Sequence, residues 1–184
     1  MDPDDDAIFE TVLQVVTRYG MKRTTMAELA RGAGVSRQTL YDRFGDKDGI
    51  MAAVIENAAA RLFEDLRTAF GTEADLGTKL DAYFNIAVWP FFEILQTMPD
   101  AADFENGMGP ASASASKTVE QGKAALLAEM LADHLPPNGQ SPSDVASFIE
   151  SSSSRAKHTI TVAEDLARFL AVLKASTLAL TKVG

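Results

Sequence analysis

The 184-residue chain contains no cysteine, which excludes a disulfide framework, a thiol nucleophile and any thiolate metal site, and fits a reducing compartment. Histidine is almost absent: His134 and His158 stand alone. No acidic motif at metal-ligand spacing accompanies them, so both read as surface or helix-capping groups. Nowhere do the roughly 18 uninterrupted apolar residues of a membrane span occur. Met1-Asp2-Pro3-Asp4-Asp5-Asp6 is acidic where a secretory signal is basic, and no apolar segment follows, so a cytoplasmic location is expected. A glycine-rich phosphate loop is lacking, and the serines 151–154 have no nucleophile-elbow glycines around them, so neither an enzyme nor a cofactor is expected. Basic charge is the minority, with 17 Lys and Arg against 26 Asp and Glu and a net charge of −9. Such a chain does not coat nucleic acid or anionic lipid indiscriminately, though a local basic patch remains open.

What the chain does have is apolar spacing of helical period, with little of the period-two alternation of half-buried strands. The fold class is all-α, with about nine helices. The first runs from about Asp6 to Tyr19, with Ile8, Val12, Val15, Val16 and Tyr19 toward a core and Gly20 closing it. Two short helices follow, and then a long one from an Asp46 cap to Gly71 carries Ile50, Val54, Ala58, Leu62, Leu66 and Phe70 inward and links two domains. A fifth spans about Ala74 to Thr97 and is kinked by Pro90, which lacks a donor and crowds the Ile86 carbonyl. Pro99 to Ser116 reads as a short helix plus loop. Helices over about Lys117–His134, Ser143–His158 and Val162–Lys182 complete the set, the serine run making the second of these the least secure.

The most informative segment is residues 24–47. Thr25 and Glu28 form a capping box, Leu29, Ala30 and Ala33 give an apolar face, and Gly34 supplies the left-handed backbone of a tight turn with Val35 behind it. Ser36 then caps a second helix that buries Leu40 and Phe44 and turns Arg37, Gln38, Thr39, Tyr41, Asp42 and Arg43 largely outward. Two short helices joined through glycine in this way make a helix-turn-helix. Residues 18–47 hold seven basic and three acidic side chains, net +4, leaving −13 to the remainder. That concentration is what phosphate contact at one end requires. Asp42 and Glu28 are expected to pair with Arg43 and Arg31.

Thr24-Thr25 to Ala30, Gly34-Val35-Ser36, Thr39-Leu40-Tyr41, Phe44 and Asp46-Lys47 resemble the TetR family of bacterial transcriptional regulators over about residues 7–56. The resemblance implies a helix-turn-helix DNA-binding domain (1–46), a larger helical ligand-binding and dimerisation domain (47–184), and pairing through the last two helices. Acidic Asp2, Asp4, Asp5 and Asp6 depart from the basic N-terminal arm of many members and would repel phosphate. Arg37 suits guanine O6 and N7, and Gln38 suits adenine N6 and N7. Thr39 and Tyr41 suit thymine methyls or phosphate, although Tyr41 equally suits the domain core. Lys47, the start of the following helix, and the helix starts at Thr25 and Ser36 suit phosphate. Duplex DNA, a small-molecule effector and a second copy of the chain are the expected partners. A helical interaction module without DNA binding is the alternative.

Two further surfaces follow from spacing. Asn85, Trp89, Phe92 and Gln96 form a second stripe on the fifth helix, two aromatics between two amides, which suits the wall of an effector pocket completed by Leu66, Phe104 and Met108. Packing against a neighbouring helix or a partner explains Trp89 and Phe92 equally well. The last helix is apolar on more than one side, with Leu166, Phe169, Leu170, Leu173 and Thr177 in one stripe. Together with Phe148 and Ser152 of the helix before it, this predicts an isologous four-helix dimer interface, the alternative being burial within one subunit.

Overall fold

A computed structural model describes residues 3–71, 73–98, 106–136 and 139–181. Among these the chain is helical without strands: α1 (Pro3–Tyr19), α2 (Met26–Gly32), α3 (Arg37–Phe44), α4 (Lys47–Phe70), α5 (Leu76–Ala87), α6 (Trp89–Thr97), α7 (Pro110–Leu131), α8 (Pro142–Thr159) and α9 (Ala163–Leu180). The all-α class is met; counting the kinked pair α5 and α6 once, as expected from the sequence, gives eight helices against about nine, and residues 99–105 of the segment expected to hold a further short helix lie outside the described residues. The break falls at Val88, whose backbone leaves helical geometry at φ −115° and ψ −57°, two residues before Pro90 and where the missing proline donor and the crowded Ile86 carbonyl place it.

The described residues fall into two compact units, one within 1–60 and 94–119, the other within 61–93 and 120–184. In the first, Ile8, Phe9, Val12 and Val16 of α1 are buried with Leu29, Ala30, Leu40, Ile50, Met51 and Val54. Phe9 meets Phe44 at 5.8 Å between ring centres, fixing α3 on α1. Tyr19, expected inside, is exposed with Arg18 over its ring. Ala58 is exposed and Ala59 buried instead, because 3.6 residues per turn drift off a strict four-residue register over a long helix.

The second unit has its own core, built from Leu66 of α4, Leu80, Tyr83 and Phe84 of α5, Phe92 of α6, Leu127 and Leu131 of α7, Ile149 of α8 and Leu166, Leu170 and Leu173 of α9. Helix α7 starts at Pro110 rather than near Lys117, so the Ala-Ser repeat read as loop is helix. Proline is well placed in a first turn, and a carboxylate distant in sequence, that of Asp48, receives the amides there. The serines 151–154 are helical as expected. Ser153 is buried and donates its hydroxyl to the Glu150 carbonyl at 3.1 Å, an outlet that removes the cost of a buried hydroxyl.

Candidate nucleic-acid interface

Local hydrogen bonds set the α2–α3 geometry. The Thr25 amide and hydroxyl both donate to Glu28 Oε2 at 2.9 Å, and the Glu28 amide returns to Thr25 Oγ1 at 3.3 Å. This is the expected capping box, and Thr25 through its hydroxyl and then its amide holds the Glu28 carboxyl below its ordinary range. After α2, Gly34 adopts φ +67° and the Val35 amide reaches back to the Ala30 carbonyl at 3.1 Å. Ser36 Oγ accepts the Thr39 amide at 3.0 Å, capping α3, and Gly45 at φ +79° ends it.

Leu40 is wholly buried beneath α3, which leaves Arg37, Gln38 and Tyr41 on its exposed side, at spacing that puts them on one face. Tyr41 is 48% exposed and so points away from the domain core. Arg37 has no ion-pair or hydrogen-bond partner among the described residues, whereas Gln38 Nε2 donates to Asp42 Oδ1 at 2.7 Å. Thr39 is half-buried and its hydroxyl shares a hydrogen with that of Ser36 at 2.8 Å. Lys47 is half-buried, with Nζ donating to the Met21 carbonyl at 2.8 Å. One of its three donors therefore braces the loop before α2, leaving two for other acceptors.

One charge expectation is corrected: Arg43 pairs with Asp5 rather than Asp42. Glu28 closes the capping box and also lies in the field of Arg31, as expected. Asp5 and Asp6 thus lie in the first turn of α1, where carboxylates suit the positive helix end. Asn57 Nδ2 also donates to Asp6 Oδ1 at 3.2 Å. Pairing within the domain removes part of the charge that would repel phosphate.

The residues expected at an effector pocket are placed unevenly. Asn85 and Trp89 line an open groove of about 550 Å³ between α5 and α9, with Asp81, Phe84, Lys174 and the alanines 167, 171 and 175. Phe92, edge-on to Trp89 at 5.6 Å, and Leu66 are buried in the second core. Gln96 is exposed and Met108 accepts a weak hydrogen bond from Ser116, both in the first unit. Phe104 lies outside the described residues.

On α9, Leu166, Leu170, Leu173 and Thr177 face their own core and are buried. The apolar side chains left exposed are Val162, Phe169, Val172 and Leu180, with Phe148 of α8, while Ser152 is half-buried. Of the expected dimer residues, Phe148 and Phe169 therefore lie on the outer surface. Val172, which widens the apolar stripe of the last helix in the sequence, lies there too, whereas sequence reasoning missed Asp48 because its partner Ser112 is 64 residues away.

A family model described as "Bacterial regulatory proteins, tetR family" matches residues 8–54. An HTH-type transcriptional regulator of Mycobacterium tuberculosis (strain ATCC 25618 / H37Rv) is 39% identical over 59 residues, 32% of this chain and 31% of that protein. The match thus spans about a third of the length of the curated relative. A TetR-family transcriptional regulator from Pectobacterium atrosepticum is 26% identical with a TM-score of 0.63, covering 96% of this chain and 91% of that one. SmeT, the repressor of the Stenotrophomonas maltophilia multidrug efflux pump SmeDEF, shares the fold at 18% identity and a TM-score of 0.66, covering 95% of this chain and 88% of its own, and has also been solved with triclosan.

Proposed function

We propose that this chain, whose residues 8–54 form a TetR-family helix-turn-helix segment, is a dimeric, ligand-responsive repressor that reads an operator duplex through α3. The observation that carries this reading is the exposed Arg37 guanidinium, unpaired among the described residues, on a helix that also exposes Tyr41 and whose opposite side is locked by Leu40. Arg37 and Gln38 read base edges, Gln38 after leaving Asp42. Thr39 and Tyr41 touch methyl groups or phosphate, while Lys47, with the helix starts at Thr25 and Ser36, positions the backbone. In this reading residues 1–46 are the DNA-binding domain and 47–184 bind effector and partner.

Dimerisation uses the outward apolar side of α8 and α9, Phe148, Phe169 and Val172, since an apolar patch rimmed by polar residues favours a matching copy. The effector is a small apolar or aromatic molecule lodged at the groove of Asn85 and Trp89, and it weakens DNA binding. The triclosan complex of SmeT, a protein of the same fold, supports a small-molecule partner of that kind. A gel shift with the DNA flanking the chain's own gene, repeated across salt concentrations, tests the reading. A sequence-selective complex whose affinity falls steeply with salt is expected. Equal binding to scrambled DNA, or none, overturns it in favour of a helical interaction module.

A further inference from the structure

Five polar side chains are gathered inside the second unit. Lys123 of α7 and Glu150 of α8 face each other with Nζ 2.7 Å from Oε1, their side chains 5% and 7% exposed. Lys157, two turns after Glu150 on the same side of α8, is also buried and holds its ammonium 4.6 Å from the centre of the Phe91 ring. Tyr83 of α5 is fully buried and lies in the field of Glu150. Ser153, one turn from Glu150, spends its hydroxyl on the Glu150 carbonyl.

This cluster is incomplete. The Tyr83 hydroxyl lies beside that of Ser153 without a well-formed hydrogen bond, and Glu150 Oε1 makes its ion contact with Lys123 without a well-directed hydrogen bond either. Two neighbouring lysines share one buried carboxylate, so Lys157 holds its proton at a cost, and Glu120, which also acts on Lys157, is exposed. A buried ammonium lacking its own counter-charge and a buried phenol lacking a well-formed hydrogen bond are each costly. One kind of group relieves both, an anion with two acceptor oxygens and a single negative charge. A doubly charged phosphate over-compensates the one surplus ammonium, and a cation worsens the imbalance.

We propose that the cluster is a binding site for an organic carboxylic acid with an apolar body. One carboxylate oxygen accepts from the Tyr83 hydroxyl and the other from the Lys157 ammonium, with the Phe91 ring beside them, while Glu150 keeps Lys123 neutralised. Two positive and two negative charges then cancel, and the charge-assisted bonds gain strength from the burial around them. Tyr83 and Asn85 leave α5 on different sides, so the site is separate from the groove at Trp89. It rests on reading the second unit as effector-binding and owes nothing to the operator assignment.

The test is calorimetric titration of the full-length protein with straight-chain alkanoates of increasing length and with phenylacetate, each against the alcohol of the same length. Acids should bind saturably and at least about tenfold more tightly than their alcohols, a difference of about 1.4 kcal/mol. Lys157→Met, which removes a buried charge and so favours the fold, should erase that preference. Tyr83→Phe, a milder change, should weaken the acid several-fold and leave the alcohol unchanged. The proposal is overturned if no acid of the series binds saturably, if alcohols bind as well as acids, or if both variants keep the wild-type preference. Operator shifts run in parallel separate the two readings, because a protein that takes up acid yet ignores DNA refutes only the regulator.

Discussion

Asp48 Oδ1 accepts the Ser112 amide at 3.1 Å across 64 residues of sequence. The same carboxylate accepts the Gly109 amide at 3.0 Å, the Ala111 amide at 2.8 Å and the Ser112 hydroxyl. A residue in the first turn of α4 thereby serves as the cap that α7 does not carry in its own sequence. Burial pushes the Asp48 carboxyl up, but the Ser112 hydroxyl and the three amides outweigh it and hold the group below its ordinary range. Cap and charge act together here, since a carboxylate at the amino end of a helix meets both free amides and a positive dipole end.

Asp48→Ala leaves those amides without an acceptor and should lower unfolding stability by about 1 to 3 kcal/mol. Gly109→Ala should act similarly, because a Cβ there would stand 2.5 Å from the Asp48 carboxyl carbon. Urea denaturation of both variants checks this. Wild-type midpoints in the two would mean that α7 is held by something other than this carboxylate.

Arg37, Lys47 and Arg43 should separate in binding experiments because their surroundings differ. Arg37→Ala should cost about 1 to 3 kcal/mol of operator affinity and relax preference at one base pair per half-site. Lys47→Ala should weaken binding to every sequence, lower the salt slope by roughly one, and destabilise the fold modestly through loss of the Met21 carbonyl contact. Arg43→Ala, which releases Asp5, should alter stability with sequence preference unchanged. Affinities measured on a set of single-base operator variants at several salt concentrations resolve the three. An unaltered preference in Arg37→Ala would move base reading off the first turn of α3.

The parts of this arrangement legible in the sequence are those written within one helical turn. Thr25 with Glu28, Ser36 with Thr39 and the left-handed Gly34 each use neighbours three or fewer residues away, so spacing alone announces them. Asp48 with Ser112 is written across 64 residues of sequence, and serine has only a middling helix propensity, so the start of α7 reads as loop. Nothing in the sequence singles out Lys123, Glu150 and Lys157, for the same reason. Their neighbours in space come from α5, α6, α7 and α8, and no short pattern links them. Helix α9 was ambiguous in another way, since residues apolar on several sides do not reveal which stripe the same subunit buries.

That ambiguity yields a contrast on α9. Val172 is 66% exposed and Phe148 54%, whereas Leu170 and Leu173 are 4% exposed. Val172→Arg combined with Phe148→Arg should place like charges at a two-fold interface and give folded monomers by sedimentation, with helical content retained. Leu170→Arg should instead unfold the second unit, as an unpaired charge buried in a core costs several kcal/mol. A double variant that still sediments as a dimer would take the interface away from this side of α8 and α9.

Lys157 makes stability depend on pH with a definite sign. Its pKa is lowered from 10.5 to about 7, first by burial and then by Lys123 beside it, with Glu150 and Glu120 pulling the other way. Between those values the unfolded chain holds a proton that the folded chain has released. The unfolded state then binds more protons, so stability rises with pH across that window. Below it both states are protonated and the burial penalty is present in full. Tyr83 does not interfere, because burial first and Glu150 second raise its hydroxyl beyond the ordinary phenol range. The slope from one group is at most about 1.4 kcal/mol per pH unit. Lys157→Met should therefore be more stable than wild type by a margin greatest at or below about pH 7 and shrinking toward about pH 9, read from urea unfolding of both proteins. Saturating organic acid should flatten the wild-type dependence, since a carboxylate on the ammonium raises the pKa of Lys157 back toward its unfolded value. A margin that stays constant over the range would mean that Lys157 keeps its proton and that Glu150 neutralises both lysines.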